Sequence, residues 1–137
     1  MVALFSGRFD PPHIGHVITI NSILCKYDHV LVVTLDYPSR FVTAWCANTV
    51  LAQALGNTAL LYVTLIINRV HFGKITERGL RDLLLEFYTS VDNCVYCGGN
   101  EDVNKHIESL GIMQVEYFPR SYEYSSTEIR ESRCKSK

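Results

Sequence analysis

A chain of 137 residues, 47% hydrophobic, is long enough to bury one core and too short for two domains of ordinary size, so residues 1–137 are expected to form a single domain. A formal charge of −1 and a pI near 6.5 supply no global basic field, which argues against broad nucleic-acid binding and for a small partner. Arg8 and Asp10 interrupt the first apolar run, residues 59–67 are too few to span a bilayer, and five cysteines fit reduced thiols; the expectation is a soluble, cytoplasmic protein without a membrane partner.

In chain order, Val2 to Ser6 reads as a buried strand ended by Gly7. Val17, Ile20, Ile23, Leu24 and Tyr27 recur at helical spacing and predict a first helix ending near Asp28. His29 to Leu35 reads as the second strand, broken by Tyr37-Pro38-Ser39. Ala47, Val50, Leu51, Ala54 and Leu55 mark a second helix closed by Gly56-Asn57. Leu60 to Ile67, rich in β-branched and aromatic residues, predicts the third strand, and Asn68 to Ile75 a loop. Thr76 is placed to cap a third helix whose buried face is Leu80, Leu83, Leu84 and Phe87.

Cys94 to Cys97 predicts the fourth strand, stopped by Gly98-Gly99. Val103, Ile107 and Leu110 define a fourth helix ending at Gly111, and Met113 to Phe118 the fifth strand. Residues 119–124 read as a loop, and Ser125 or Ser126 opens a last helix through Glu131. Alternation of strand and helix calls for an α/β fold: a Rossmann-like, doubly wound, parallel five-stranded sheet with right-handed crossovers. Ligands in such sheets bind outside the carboxyl ends of strands, where the strand order reverses.

Cys94 and Cys97 form a Cys-x-x-Cys that invites a zinc or redox reading. On a strand, side chains three apart point to opposite faces, so one ligand would face away, and no second pair stands at metal-site spacing. The reading is structural. His106 falls on the apolar stripe of the fourth helix and is expected as a packed core-edge residue. Trp45 and the tyrosines are expected in the core or its rim, and His29 and His71 carry no motif.

Two loops hold the unusual residues. After the first strand runs Gly7-Arg8-Phe9-Asp10-Pro11-Pro12-His13-Ile14-Gly15-His16. Gly7 permits a tight turn and close approach of a ligand, the prolines stiffen the loop, and His13 and His16 come side by side across a helix start. Free N–H groups at that helix start favour an anion. After the fifth strand, Ser125-Ser126-Thr127-Glu128-Ile129-Arg130 places three hydroxyls at a helix start, with Arg120 and Arg130 bracketing them. Ser125 with Glu128 is also a capping box, a role compatible with phosphate contacts from the arginines.

Taken together, the two motifs resemble the nucleotidyltransferase superfamily marked by His-x-Gly-His after the first strand and Ser-Ser/Thr-Thr-x-Ile-Arg/Lys at a late helix. The resemblance implies that His13 and His16 bind a nucleoside triphosphate and stabilise the transition state, while Gly7 and the backbone around Arg8 and Phe9 hold the α-phosphate region. It further implies that Ser125, Ser126, Thr127 and Arg130 hold the outer phosphates with help from Arg120. Arg40 stands where the family commonly has a phosphate-binding lysine or arginine after the second strand. Class I aminoacyl-tRNA synthetases share the literal His-Ile-Gly-His, but this chain has neither a Lys-Met-Ser-Lys-Ser-like segment nor room for a tRNA-binding domain.

The implied chemistry is transfer of a nucleoside monophosphate to a phosphate-bearing acceptor with release of pyrophosphate. A phosphate monoester has a second pKa of about 6, so at neutral pH it needs no general base and the histidines are free to donate. The acidic residues form no metal cage, which suits Mg²⁺ held by the nucleotide and water. Asp10-Pro11-Pro12-His13 looks closer to adenylyltransferases acting on nicotinamide mononucleotide, and the chain length to glycerol-3-phosphate cytidylyltransferases. Adenylyl transfer is favoured, with cytidylyl transfer and a catalytically silent nucleotide-binding module as alternatives; a homo-oligomer is compatible with either.

Overall fold

The computed structural model describes residues 1–119. Its elements are β1 (Val2–Gly7), α1 (Ile14–Leu24), β2 (His29–Leu35), α2 (Ala44–Leu60), β3 (Val63–Asn68), α3 (Glu77–Glu86), β4 (Cys94–Gly98), α4 (Glu101–Ser109) and β5 (Gln114–Tyr117). The strands form one parallel sheet in the order β3-β2-β1-β4-β5, with Val2 of β1 level with both His29 of β2 and Cys94 of β4.

Period-2 alternation along β1 and β4 sorts the core into two layers. Leu4, Cys94 and Tyr96 face Leu80, Leu83 and Leu84 of α3 and Ile107 of α4. Ala3, Phe5, Val95 and Cys97 face Ile20 and Ile23 of α1 and Ala47 and Leu51 of α2. Cys94 and Cys97 therefore lie on opposite faces of the sheet, as strand geometry requires. Burial raises both thiols above the usual range, Cys97 to about 12.

The strand order reverses between β1 and β4, and this positions the site. Between β3 and β4 the chain passes from the face covered by α1 and α2 to the face covered by α3. Phe72 anchors that crossing: it is buried and stacks on Tyr96 of β4 with ring centroids 5.9 Å apart.

Several boundaries differ from the sequence expectation. Helix α1 starts at Ile14, where His13 caps it, and ends at Leu24, short of the expected Asp28. Helix α2 begins three residues early, at Ala44, and Gly56, at φ +79°, breaks it as expected, but the chain then coils again to Leu60. Strand β3 consequently begins at Val63, and Leu61 and Tyr62, which carried the strand signal by composition, are 74% and 46% exposed in the turn before it. Composition there was overridden by the helical continuation after Gly56. Thr76 caps α3 by accepting from Gly79 N–H, and Gly111 takes the positive φ that ends α4. His106 is half-buried, its Nε2 2.7 Å from the Ile75 carbonyl. Trp45 stands 75% exposed on the first turn of α2 rather than in the core. Among the described residues no helix is long and apolar enough to cross a membrane.

Candidate functional site

The β1–α1 loop turns back on the sheet. Phe9, at φ +47°, folds its ring into the α1/α2 layer and is 1% exposed. A Cβ on Gly7 would lie 2.9 Å from that ring, so glycine at position 7 is required by Phe9 itself. The side-chain side of Gly7 is thus occupied by Phe9, two residues along the loop. Phe9 in turn meets His16 edge to face, centroids 4.8 Å apart, and fixes one wall of the histidine pair.

His13 and His16 build the start of α1 themselves. His13 Nδ1 accepts the Gly15 N–H at 3.0 Å, and His16 Nδ1 accepts the His13 N–H at 3.1 Å, a reciprocal cap made from two imidazoles. Their rings stack with centroids 3.7 Å apart and planes 27° from parallel. With each Nδ1 used as an acceptor, each neutral ring carries its hydrogen on Nε2. Both imidazoles thus lie at the N-terminal end of α1, beside the carboxyl end of β1.

A second set of contacts ties this loop to the one after β2. Asp10 is 1% exposed. Its carboxylate accepts from Tyr37 Oη–H at 2.6 Å, Phe41 N–H at 2.9 Å and Val42 N–H at 2.8 Å. Burial opposes its ionised form, but the Tyr37 hydroxyl, the two amides and the nearby Arg40 charge hold the carboxyl below the usual carboxylate range. Arg40 donates to the carbonyls of Leu35, Val42 (2.7 Å) and Phe9 (3.2 Å). Arg8 and Arg40 each place a guanidinium 5.1 Å from the centre of the Tyr37 ring. The structure thus commits three of Arg40's five N–H donors to backbone, where the sequence assigned the residue to phosphate; two remain.

Across the reversal point, Ser6 Oγ and Tyr96 Oη share a hydrogen bond of 2.7 Å, with the Tyr96 hydroxyl pushed up to about 12 by burial. Gly98 ends β4 beneath the buried Asn104, whose Nδ2 donates to the Gly98 carbonyl at 3.0 Å. A side chain at 98 would overlap the Asn104 amide. Asp10, Tyr37 and Asn104 escaped sequence reasoning because their partners are supplied by other loops. The only local signal was a carboxylate followed by two prolines, a residue that must either be solvated or be capped. The structure brings Gly7, Arg8, Phe9, His13, His16 and Arg40 to one end of the sheet. Arg120, Ser125, Ser126, Thr127 and Arg130 lie outside the described residues.

No family model matches the chain, and no curated protein matches it in sequence. Solved structures do match in fold. A bifunctional NMN adenylyltransferase/ADP ribose pyrophosphatase from Francisella tularensis superposes with a TM-score of 0.78 at 19% identity, over 99% of this chain and 42% of that one. A second structure of the Francisella enzyme, complexed with AMP and a manganese ion, gives 0.70 at 18% identity over 96% and 40%. A structure described as a nicotinate-nucleotide adenylyltransferase from Vibrio parahaemolyticus gives 0.66 at 22% over 99% and 88%. The nicotinic acid mononucleotide adenylyltransferase of Plasmodium falciparum, complexed with APC, gives 0.56 at 13% over 95% and 82%. The chain spans less than half the length of the Francisella enzyme and most of the length of the other two. These neighbours share the five-stranded α/β fold of nucleotidyltransferases.

Proposed function

We propose that this chain transfers an adenylyl group from ATP to the phosphate of a pyridine mononucleotide, releasing pyrophosphate. The observation that carries the reading is the stacked His13–His16 pair, with both Nδ1 atoms engaged as acceptors and both Nε2–H groups set as donors at the start of α1. The adenylyltransferases named above supply the choice of base and acceptor.

In the reaction, a phosphate oxygen of the acceptor attacks the α-phosphorus of ATP, and the bond from that phosphorus to the α,β-bridging oxygen breaks. The bridging oxygen leaves with the electron pair on pyrophosphate. The acceptor is already mostly a dianion at neutral pH, so no residue removes a proton. Negative charge grows on the equatorial α-phosphoryl oxygens and the leaving group, which is where positioned N–H donors lower the barrier. His13 and His16 hold those oxygens. The carbonyl and amide contacts of Arg40 and Asp10 keep both loops in place, so the donors need not reorganise. Thr127, Ser126, Ser125, Arg130 and Arg120 are assigned the outer phosphates by their motif.

A Mg²⁺ ion bound to the triphosphate would neutralise part of its charge. In this reading the cation's ligands come from the nucleotide and water.

The test is a pyrophosphate-release screen of the four nucleoside triphosphates against nicotinamide mononucleotide, nicotinate mononucleotide and glycerol 3-phosphate. The expected result is release with ATP and a pyridine mononucleotide. Release confined to CTP and glycerol 3-phosphate would convert the assignment to cytidylyl transfer, and ATP binding without release on any acceptor would make the chain a regulatory module.

A further inference from the structure

Residues 41–68 contain no Asp, Glu, Lys, Arg or His, although 20% of the chain is charged. This stretch supplies the whole of α2 and of β3, the strand at one edge of the sheet. An exposed edge strand is ordinarily kept from pairing by charges or prolines, and β3 has neither. Six of the twelve large apolar side chains exposed among the described residues fall in the same stretch: Phe41, Trp45, Val50, Leu61, Tyr62 and Ile67. Apolar side chains exposed singly are ordinary, whereas a helix and an adjoining edge strand without a single charge mark an interface.

The backbone of β3 shows what the edge offers. The carbonyls of Tyr62 and Asn68 accept N–H groups of Val30 and Asp36, on the β2 side. By the two-residue alternation of a strand, Thr64 and Ile66 also face β2, and Val63, Leu65 and Ile67 turn both N–H and C=O outward. These three positions are symmetric about Leu65. An antiparallel strand of the same sequence therefore pairs Leu65 with Leu65 and Val63 with Ile67, on the side of the sheet where Val63 and Leu65 already pack beneath α2. Helix α2 repeats the pattern. Ala44 and Leu51 are buried, Leu55 packs in the same layer and Asn48 bonds to Thr34 of β2, so these four positions face the sheet. One residue on, about 100° further round a right-handed helix laid on a right-handed crossover, Trp45, Thr49 and Ala52 face the β3 edge.

We propose that two copies of this chain associate about a twofold axis at Leu65, joining their β3 edges into one ten-stranded sheet with the two α2 helices antiparallel above the seam. Neighbouring strands stand about 4.8 Å apart and α2 lies over β2 and β3, so the axis sets the helices about 10 Å apart, a distance at which helices pack. Antiparallel order brings Trp45 of each copy to the α2–β3 turn of the other, where Leu61 and Tyr62 stand exposed. A twofold axis lays a surface against itself, so a charge near it meets its like; a face with none is complementary to its own copy. Helix α2 is 17 residues long, about 25 Å, and its flank with the β3 edge below makes a face on the order of 600 Å². Two such faces reach the roughly 1,200 Å² at which specific interfaces begin. The other edge of the sheet, β5, is four residues long and carries Glu116, paired with Lys26, so β3 meets its own copy rather than β5 and the assembly closes at two.

Sedimentation equilibrium over a concentration series tests the assembly, and the expected mass is twice the 15.6 kDa of one chain. Thr49→Glu and Ile67→Lys, at exposed positions on the two elements of the seam, each set like charges across the axis and are expected to halve that mass, with circular dichroism showing an intact fold. Val50→Glu, on the flank of α2 turned away from the seam, is expected to leave the dimer. Trp45 is the only tryptophan, so its emission moves to the red on dilution and in Thr49→Glu, as the ring passes from a covered to a wet setting. Hydrogen exchange reads the seam directly: amides of Val63, Leu65 and Ile67 are protected in the dimer and exchange freely in Thr49→Glu, while those of Thr64 and Ile66 keep their protection. A wild-type protein of monomer mass at every concentration overturns the proposal and leaves the face to another segment or another protein. A mass that grows without limit, or a dimer that survives both seam substitutions with Val63, Leu65 and Ile67 exchanging freely, overturns it too.

Discussion

The rings of His13 and His16 stack 3.7 Å apart because each Nδ1 accepts a backbone N–H at the start of α1. One pair of hydrogen bonds therefore does two things: it caps the helix, and it leaves the hydrogen of each neutral ring on Nε2. Structure and proposed chemistry are coupled in these two residues, and substitutions there should move both.

His16→Ala is expected to lower turnover by on the order of 10² to 10³, the range for loss of one transition-state donor, and to lower stability by about 1 kcal/mol through the lost half of the cap. Steady-state kinetics with circular dichroism and urea unfolding separates the two effects. A folded variant with near-normal turnover removes His16 from the mechanism.

Arg40 discriminates between a structural and a phosphate-binding role. Its donors reach three carbonyls on three segments, a fork that a lysine cannot reproduce. Arg40→Lys is expected to be destabilised by about 1–3 kcal/mol in urea unfolding, nearly as much as Arg40→Ala. If instead Lys restores both stability and ATP affinity, the residue acts mainly as a point charge on phosphate.

Asp10 gives the fold an acid-sensitive joint. Its carboxyl is held below the usual range in the folded protein, so its contribution to stability is fully present above the unfolded value near 3.8 and is lost as pH falls through the lower folded value. Asp10→Asn cannot accept all three hydrogen bonds and is expected to lose about 1–3 kcal/mol at neutral pH. Urea titrations should show a difference from wild type that is constant at neutral pH and narrows in strong acid. A constant difference down to the acid limit would mean that the carboxylate charge contributes nothing.

Thr127→Ala and Arg130→Ala, in the motif assigned to the outer phosphates, are expected to weaken ATP binding more than AMP binding, read by calorimetry. Equal weakening of the two nucleotides would reduce that motif to a helix cap.

The buried thiols are held protonated, Cys97 up to about 12, while Cys25 and Cys46 are exposed. Iodoacetamide at neutral pH should alkylate Cys25 and Cys46 and spare Cys94 and Cys97, as read by peptide mass spectrometry. The double variant Cys94→Ser, Cys97→Ser should keep its activity with Mg²⁺ and lose it in a magnesium chelator. Stoichiometric zinc in the wild-type protein, lost in that variant together with the fold, would contradict the opposite-face placement of the two residues.

Much of the frame was legible in the sequence because it depends on local periodicity. Leu80, Leu83 and Leu84 announced α3, Thr76 its cap, and Gly111 the end of α4, since each signal and its structural partner lie within one or two helical turns. The histidine pair was legible for the same reason: three residues separate its members, and the cap they form is local. Position 61 shows where local reading fails, for Leu61 and Tyr62 look like strand residues and sit exposed in a turn decided by the helical turn before them.

What joins the loops could be decided only in three dimensions. Asp10 meets Tyr37 across 27 residues and Ser6 meets Tyr96 across 90, separations over which no pattern in the chain fixes a partner. Gly7 is glycine because Phe9 folds onto it, and Phe72, on the segment after β3, stacks on Tyr96 of the distant β4. The sequence determined which elements form and where the loop that carries the histidine pair begins, through hydrophobic period and capping. The tertiary structure determined which polar groups those loops share, because hydrogen bonds between distant segments depend on strand order rather than on spacing along the chain.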